Sequence, residues 1–285
     1  LLKPPNYSDK NFIITNPPYL ARNKNNDKFL YDKFKQNDLY KIFIYQILNH
    51  NIQGGLIIIP LNFFCSIREN DIKLRKLFIT EFHIVKLNIF EEDVFSDTSY
   101  SVCSVLFQKR NGFNYDIKTI IYPSKKHITL NISESNNYTI GGELYSLDTP
   151  FNFYIKRFII NDELDSKKIN TKLKINCIDS GTLNGKINML YSENIYYGKE
   201  SSRTEASLYI GSIDVVLFEK LKKINYQKIS EEFNTFFNLQ RNKYNSLFMS
   251  NYRESKQFAR KRVSFYLVYT ILKFLITENL KKLIL

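Results

Sequence analysis

The chain has 285 residues, of which 44% are hydrophobic, and a formal net charge of +13. That length can bury a substantial core and that apolar fraction excludes wholesale disorder, while the positive surplus fits a polyanionic partner. The sequence is also rich in Lys, Asn, Ile, Tyr and Phe, as an AT-rich coding sequence produces, so charge alone does not assign nucleic acid.

Residues 11–15 form an apolar run that predicts a strand, and the strand stops at Asn16-Pro17-Pro18-Tyr19. Neither proline can donate to a sheet ladder and each fixes its own φ, so the chain must turn there. The turn would present the Asn16 amide and the Tyr19 ring at the carboxyl edge of a sheet, where open α/β sheets bind ligands. Residues 22–28 lack periodicity and read as a loop. Asp38 then caps a helix with apolar positions at Leu39, Ile42, Phe43, Ile47 and Leu48, expected to stop at Gly54-Gly55. Residues 56–59 are all apolar and end at Pro60, as a buried parallel strand would. A helix fits residues 71–79, with Leu74, Leu77 and Phe78 on one side, and strands fit 83–90 and 98–109 around a polar loop at 91–97.

The order strand, helix, strand, helix, strand is half of a doubly wound α/β sheet. Beyond residue 115 short β-like pieces (117–122, 128–132) alternate with turns, and glycines at 141–142 and 181–185 mark loops. From residue 230 the pattern turns helical, with Phe233, Phe237, Tyr244, Leu247 and Phe248 as a buried stripe. A basic run, Arg253 to Arg262, precedes a closing amphipathic helix. Residues 1–115 carry 15 basic and 11 acidic side chains and residues 116–285 carry 26 and 17, so the surplus lies mainly in the second part.

Cys65, Cys103 and Cys177 are far apart and form no C-x-x-C pair, and His50, His83 and His127 show no ligand spacing. No disulfide framework or metal site is expected, and a reduced, cytoplasmic setting is. The longest apolar run, 263–276, is interrupted by Lys273 and is too short to span a bilayer.

Asn16-Pro17-Pro18-Tyr19, Asp38-Leu39-Tyr40 opening a helix, Gly54 to Pro60, and Asn62-Phe63-Phe64 follow the motif order of gamma-type DNA adenine-N6 methyltransferases. Phe95, Thr98, the strand ending Leu106-Phe107-Gln108-Lys109, and residues 252–265 continue the resemblance to these type II restriction-modification enzymes. It covers residues 11–110 well and the rest loosely. The resemblance implies a C-terminal half of a doubly wound, Rossmann-like methyltransferase sheet (residues 1–115), followed by an α+β DNA target-recognition region (116–285). It implies methyl transfer from S-adenosylmethionine to N6 of a flipped adenine in double-stranded DNA.

In this reading Asn16 and Pro17 polarise the amine, Tyr19 stacks on the base, Phe107 stacks on its other face and Pro18 borders the cofactor. Arg253, Arg260, Lys261 and Arg262 would contact DNA, although a run of charge is equally compatible with a solvated face; Phe107 is equally compatible with a core position. In this class the glycine-rich loop that holds the cofactor precedes the Asn-Pro-Pro-Tyr strand, and the sequence opens at Leu1 almost at that strand. A missing N-terminal cofactor-binding segment or subunit and weak activity alone are therefore expected; the resemblance leaves open whether a cognate restriction endonuclease exists as a separate protein. The competing readings are a protein-glutamine or RNA base methyltransferase with the same chemistry, and a non-catalytic DNA-binding subunit.

Overall fold

The computed structural model describes residues 7, 11–92, 94–95, 100–179, 187–252 and 260–284. By its contacts the chain divides into two compact units, residues 1–142 with 251–259 and residues 143–250 with 260–285.

The first unit is mixed α/β and built on a six-stranded sheet. β1 (Phe12–Thr15) leads through a short 3-10 turn (Arg22–Lys24) to α1 (Phe29–Phe34) and α2 (Leu39–Leu48). β2 (Gly54–Pro60), α3 (Asn62–Cys65), α4 (Glu69–Glu81), β3 (Phe82–Phe90), β4 (Val102–Lys109), β5 (Asp116–Tyr122) and β6 (Lys126–Asn131) follow. The spatial order is β1-β2-β4-β3-β5-β6. β1 runs parallel to β2 and β3 parallel to β5, whereas β4 is antiparallel to both its neighbours and β6 is antiparallel to β5. The strand–helix alternation read from the sequence is present, and the antiparallel insertion of β4 between β2 and β3 is the feature that alternation did not contain.

Several local expectations change for identifiable reasons. Gly54 and Gly55 do not cap α2 but open β2. A Cβ on Gly54 would lie 2.7 Å from the Phe107 carbonyl oxygen, and one on Gly55 would collide with the Ile13 carbonyl oxygen, so both serve close strand approach. α4 buries Leu74, Arg75, Phe78 and Ile79, while Leu77 is 55% exposed. A buried arginine in that stripe is tolerated because its guanidinium donates to the carbonyls of Phe63, Ser66 and Tyr138 and to the Thr139 hydroxyl. Burial pushes its pKa down to about 10. The boundary expected after residue 115 falls after Gly142, because β5 and β6 extend the same sheet.

One face of the sheet carries the core: Ile13, Ile57, Val105, Phe107 and Leu87 are all buried. The alternate positions of β1 point the other way, and there Phe12 is 71% and Ile14 85% exposed. Ile14 is in register with Leu56, and Leu56 with the exposed Leu106.

The second unit has a four-stranded antiparallel sheet, order β7-β10-β8-β9, from β7 (Tyr154–Arg157), β8 (Ile169–Asn176), β9 (Asn188–Tyr191) and β10 (Glu205–Gly211). Three helices accompany it: α5 (Val215–Lys222), α6 (Tyr226–Lys243) and α7 (Phe265–Ile284). Asp214 and Asn225 cap α5 and α6 by accepting from Leu217 and Lys228 backbone N–H groups. α6 packs on β8, β9 and α7, and its Asn234 amide both donates to and accepts from the Met189 backbone at 2.8 Å. Phe233, Phe237, Leu247 and Phe248 are buried as expected; Tyr244 is half-buried. Short strands β11 (Ser250–Tyr252) and β12 (Arg260–Arg262) precede α7.

Among the described residues no helix is long and apolar enough to cross a membrane, and no cluster of His, Cys, Asp and Glu is arranged to hold a metal ion.

Candidate active site

β1 ends at Thr15, and the two prolines force the chain out of the sheet immediately beyond it. Asn16 and Pro18 are exposed, Pro17 is buried and Tyr19 is half-buried. The turn is anchored by the Tyr19 hydroxyl, which stands 2.8 Å from the Asn16 side-chain oxygen and 2.9 Å from the Ile58 carbonyl oxygen on β2. An amide oxygen has two lone pairs, so Asn16 can accept from Tyr19 and from one further donor.

The following segment is not a free loop. Its 3-10 turn and α1 make an excursion that returns to the start of α2: Arg22 N–H donates to Asn37 O at 2.9 Å and Leu39 N–H to Leu20 O at 3.1 Å. Leu30, Tyr31, Leu39 and Ile42 form a small core beneath it, joined by Leu20 and Phe34. This places Tyr40, the first buried ring of α2, edge-on to Tyr19 at 6.3 Å between centroids. Phe95 also meets Tyr19, at 6.4 Å and 64°.

Asp38 opens α2 without a side-chain capping bond. Its carboxylate lies 3.4 Å from the Lys41 ammonium, and that buried ammonium is 2.5 Å from Asp71 of α4 and 2.6 Å from the Asn37 side-chain oxygen. Ser66 completes the group by donating to Asp71 at 2.6 Å. Burial raises the Asp38 carboxyl above its ordinary pKa despite Lys41. Burial, with Asp38 and Asp71 adding to it, pushes the Tyr40 phenol well above its ordinary value, so Tyr40 remains protonated and serves as a wall.

The expected site residues do not all meet. Asn16, Pro17, Pro18 and Tyr19 form one turn in the first unit. Phe107 is 1% exposed and packs on Phe78 at 5.1 Å and Phe82 at 5.0 Å. It ends a chain of edge-on rings that runs from Tyr19 through Tyr40, Phe63 and Phe78, so it is a core residue with no face open to a base. Two rings stand beside Tyr19, the buried Tyr40 and the half-buried Phe95. The signal of Phe95 in the sequence was an apolar anchor inside the polar 91–97 loop.

Arg260, Lys261 and Arg262 belong to the second unit and are partly exposed on β12. Their strand is fastened at Asp179, whose N–H donates to Lys261 O at 3.1 Å and whose carboxylate accepts from Lys261 N–H at 2.9 Å. Arg253, Thr98 and the 181–185 glycine loop lie outside the described residues.

A cofactor such as S-adenosylmethionine needs a cradle as well as a wall. Exposed Pro18 beside Asn16 fits a wall. In the first unit no described glycine sits in a turn that joins a strand to the start of a helix, the arrangement that holds a nucleotide, since Gly54 and Gly55 lie inside β2. The described residues therefore build the turn that carries Asn16 and not a complete cofactor pocket.

Residues 9–95 match the protein family described as Eco57I restriction-modification methylase, a stretch that includes the Asn16–Tyr19 turn, α2, β2, α4 and Phe95. No curated protein matches the chain. Among solved structures, a type I restriction-modification system methyltransferase subunit from Streptococcus thermophilus is similar over 41% of this chain and 28% of its own, at 17% identity and TM-score 0.31. The type IIG restriction endonuclease BpuSI is similar over 56% and 26%, at 11% identity and TM-score 0.38. The type I restriction enzyme EcoKI M protein is similar over 39% and 25%, at 14% identity and TM-score 0.27. The chain spans about a quarter of the length of each of these proteins.

Proposed function

We propose that this chain supplies the target-amine turn and the DNA-contacting part of a restriction-modification DNA methyltransferase acting on adenine N6. The observation that carries the reading is the anchored, exposed Asn16 amide at the carboxyl end of β1, within the stretch that matches the methylase family.

The chemistry requires such a group. The lone pair of an exocyclic aromatic amine is delocalised into its ring and is a poor nucleophile. Two acceptors aimed at its hydrogens, the Asn16 side-chain oxygen and the Pro17 carbonyl, draw the nitrogen towards a tetrahedral state and stabilise the charge that develops. Tyr19 fixes Asn16 through its hydroxyl and offers a ring to a base taken out of the stack, and Phe95 offers a second. Base–aromatic stacking is worth about 1–3 kcal/mol per base, the same order as unstacking, so two rings offset the extrusion. S-adenosylmethionine, when bound, donates the methyl group. The residues of this chain hold and polarise its acceptor.

The test is transfer of labelled methyl from S-adenosylmethionine to unmethylated DNA, using the full-length protein that carries this sequence and the same protein with Asn16→Ala. Product analysis should find N6-methyladenine, formed by the wild-type protein and abolished by the substitution. DNA binding without transfer from the wild-type protein would refute the proposal, as would a methylated cytosine or peptide product.

A further inference from the structure

The second unit contains a cleft of about 410 Å³ at the start of α7 that the methyl-transfer chemistry leaves unused. Three arginines line it, Arg157 from the end of β7, Arg203 from the loop before β10 and Arg262 from β12, against one carboxylate, Glu200. We infer that this cleft is a seat for the phosphodiester backbone of duplex DNA. The inference rests on the DNA-methyltransferase reading and specifies where its substrate is held.

The geometry separates a built site from scattered surface charge. Arg157 is fixed in place: its guanidinium donates to Ser202 O at 2.9 Å and to Glu200 O, and lies 4.7 Å from the centroid of the Phe265 ring. Two of its five N–H donors are thereby spent on the wall, and others remain for a ligand. Arg262 is carried on backbone that is itself pinned, since Val263 N–H donates to Cys177 O at 2.9 Å and Arg262 bridges Ile178. Arg157 and Arg262 line the same cleft.

Planar guanidinium forks suit phosphate oxygens. Hydroxyl groups of Ser201, Ser202 and Ser264 line the same space and can donate to such oxygens. The first turn of α7 adds a favourable dipole. Arg260 stands two residues before Arg262 on the same strand and so on the same face of it, and a row of cations suits a polymer of phosphates better than a single anion.

The test is fluorescence anisotropy of a short labelled duplex with the full chain and with Arg203→Glu, Arg262→Gln and Lys281→Glu. Lys281 lies 16 residues further along α7, about 24 Å away at the helical rise, and its reversal changes the net charge as Arg203→Glu does. Arg203 is exposed, so its substitution leaves the melting temperature unchanged. The cleft variants should each weaken binding about tenfold on unrelated sequences alike, and lower the salt slope by about one per arginine removed. Lys281→Glu should lose no more than about twofold by the same rules. Equal losses at Arg203 and Lys281, or none at Arg203, would overturn the assignment of the cleft while leaving the methyltransferase reading standing. Stronger, Arg203-dependent binding of single-stranded RNA would overturn the choice of DNA. No duplex binding by the wild-type chain at low salt would remove the reading on which the inference rests.

Discussion

The Tyr19 hydroxyl lies within hydrogen-bond distance of both the Asn16 side-chain oxygen and the Ile58 carbonyl, joining the turn after β1 to the neighbouring strand. A phenol has one proton, so at any moment it donates to one of the two. Tyr19→Phe keeps the ring and removes the anchor. In the full-length protein this should lower methyl transfer about tenfold to a hundredfold, the cost of misplacing a reacting group. Tyr19→Ala, which also removes the stacking face, should cost more. Steady-state kinetics on both variants checks this, and wild-type rates for Tyr19→Phe would rule out a positioning role for the hydroxyl.

Phe95 and Phe107 should part company. Phe107→Ala removes a buried ring between Phe78 and Phe82 and is expected to cost about 3–5 kcal/mol of stability in urea unfolding. Phe95→Ala should leave unfolding nearly unchanged and reduce kcat/KM for DNA, because its ring stands beside Tyr19 on a half-buried loop. The reverse pattern would return the stacking role to Phe107.

The Lys41–Asp71 pair joins α2, and with it Tyr40, to α4 from a site that is almost closed to water. Asp71→Asn leaves the buried ammonium with Asp38 as its remaining acid and should cost about 3 kcal/mol. Lys41→Met with Asp71→Leu removes both charges and should recover most of that loss, since replacing a buried pair with apolar groups is often neutral. Chemical denaturation of Lys41→Met, Asp71→Leu and the double variant provides the cycle; additive losses would show that the pair is not coupled.

Burial raises the thiols of Cys65 and Cys177 to about 12 from an ordinary value of 9.0, and raises Cys103 in the same direction. In the native chain all three should resist a thiol reagent at pH 8 and react only on unfolding. Because the folded pKa lies above the unfolded one, the unfolded chain releases these protons first. The stabilising contribution is whole below pH 9 and declines as pH rises towards 12, by up to about 1.4 kcal/mol per pH unit for each thiol. Cys→Ala variants should therefore show a shallower loss of stability than wild type between pH 8 and 10. An unchanged pH dependence would contradict the burial of these groups.

How far the sequence disclosed this arrangement differs from residue to residue. β1, α2, β2 and β3 were legible because their apolar periods are clean and because two prolines end β1 without ambiguity. Gly54-Gly55 is ambiguous in sequence because a glycine pair after a helix looks the same whether it caps that helix or opens a strand; only Ile13 and the Phe107 carbonyl, both distant in sequence, decide it. Phe107 alternates along its strand as a ligand-facing residue would, and nothing local reveals that β4 lies between two antiparallel partners with Phe78 and Phe82 over that position. α1 escaped notice because six residues flanked by polar ones give too short a period, and its support comes from α2. Arg157 and Arg203 were missed for the opposite reason, since isolated arginines carry no pattern until the fold gathers them.

The bare side of β1 has a consequence for how the chain behaves in a test tube. Phe12 and Ile14 hold large hydrocarbon surfaces in water along an outer strand of the sheet, in line with Leu56 and the exposed Leu106. Such a surface invites copies to adhere, while a charge of +13 keeps them apart. Salt weakens the repulsion and leaves the adhesion intact. Light scattering should therefore show single chains in dilute buffer and clustering as ionic strength rises, and Ile14→Lys should widen the range of salt in which the solution stays clear.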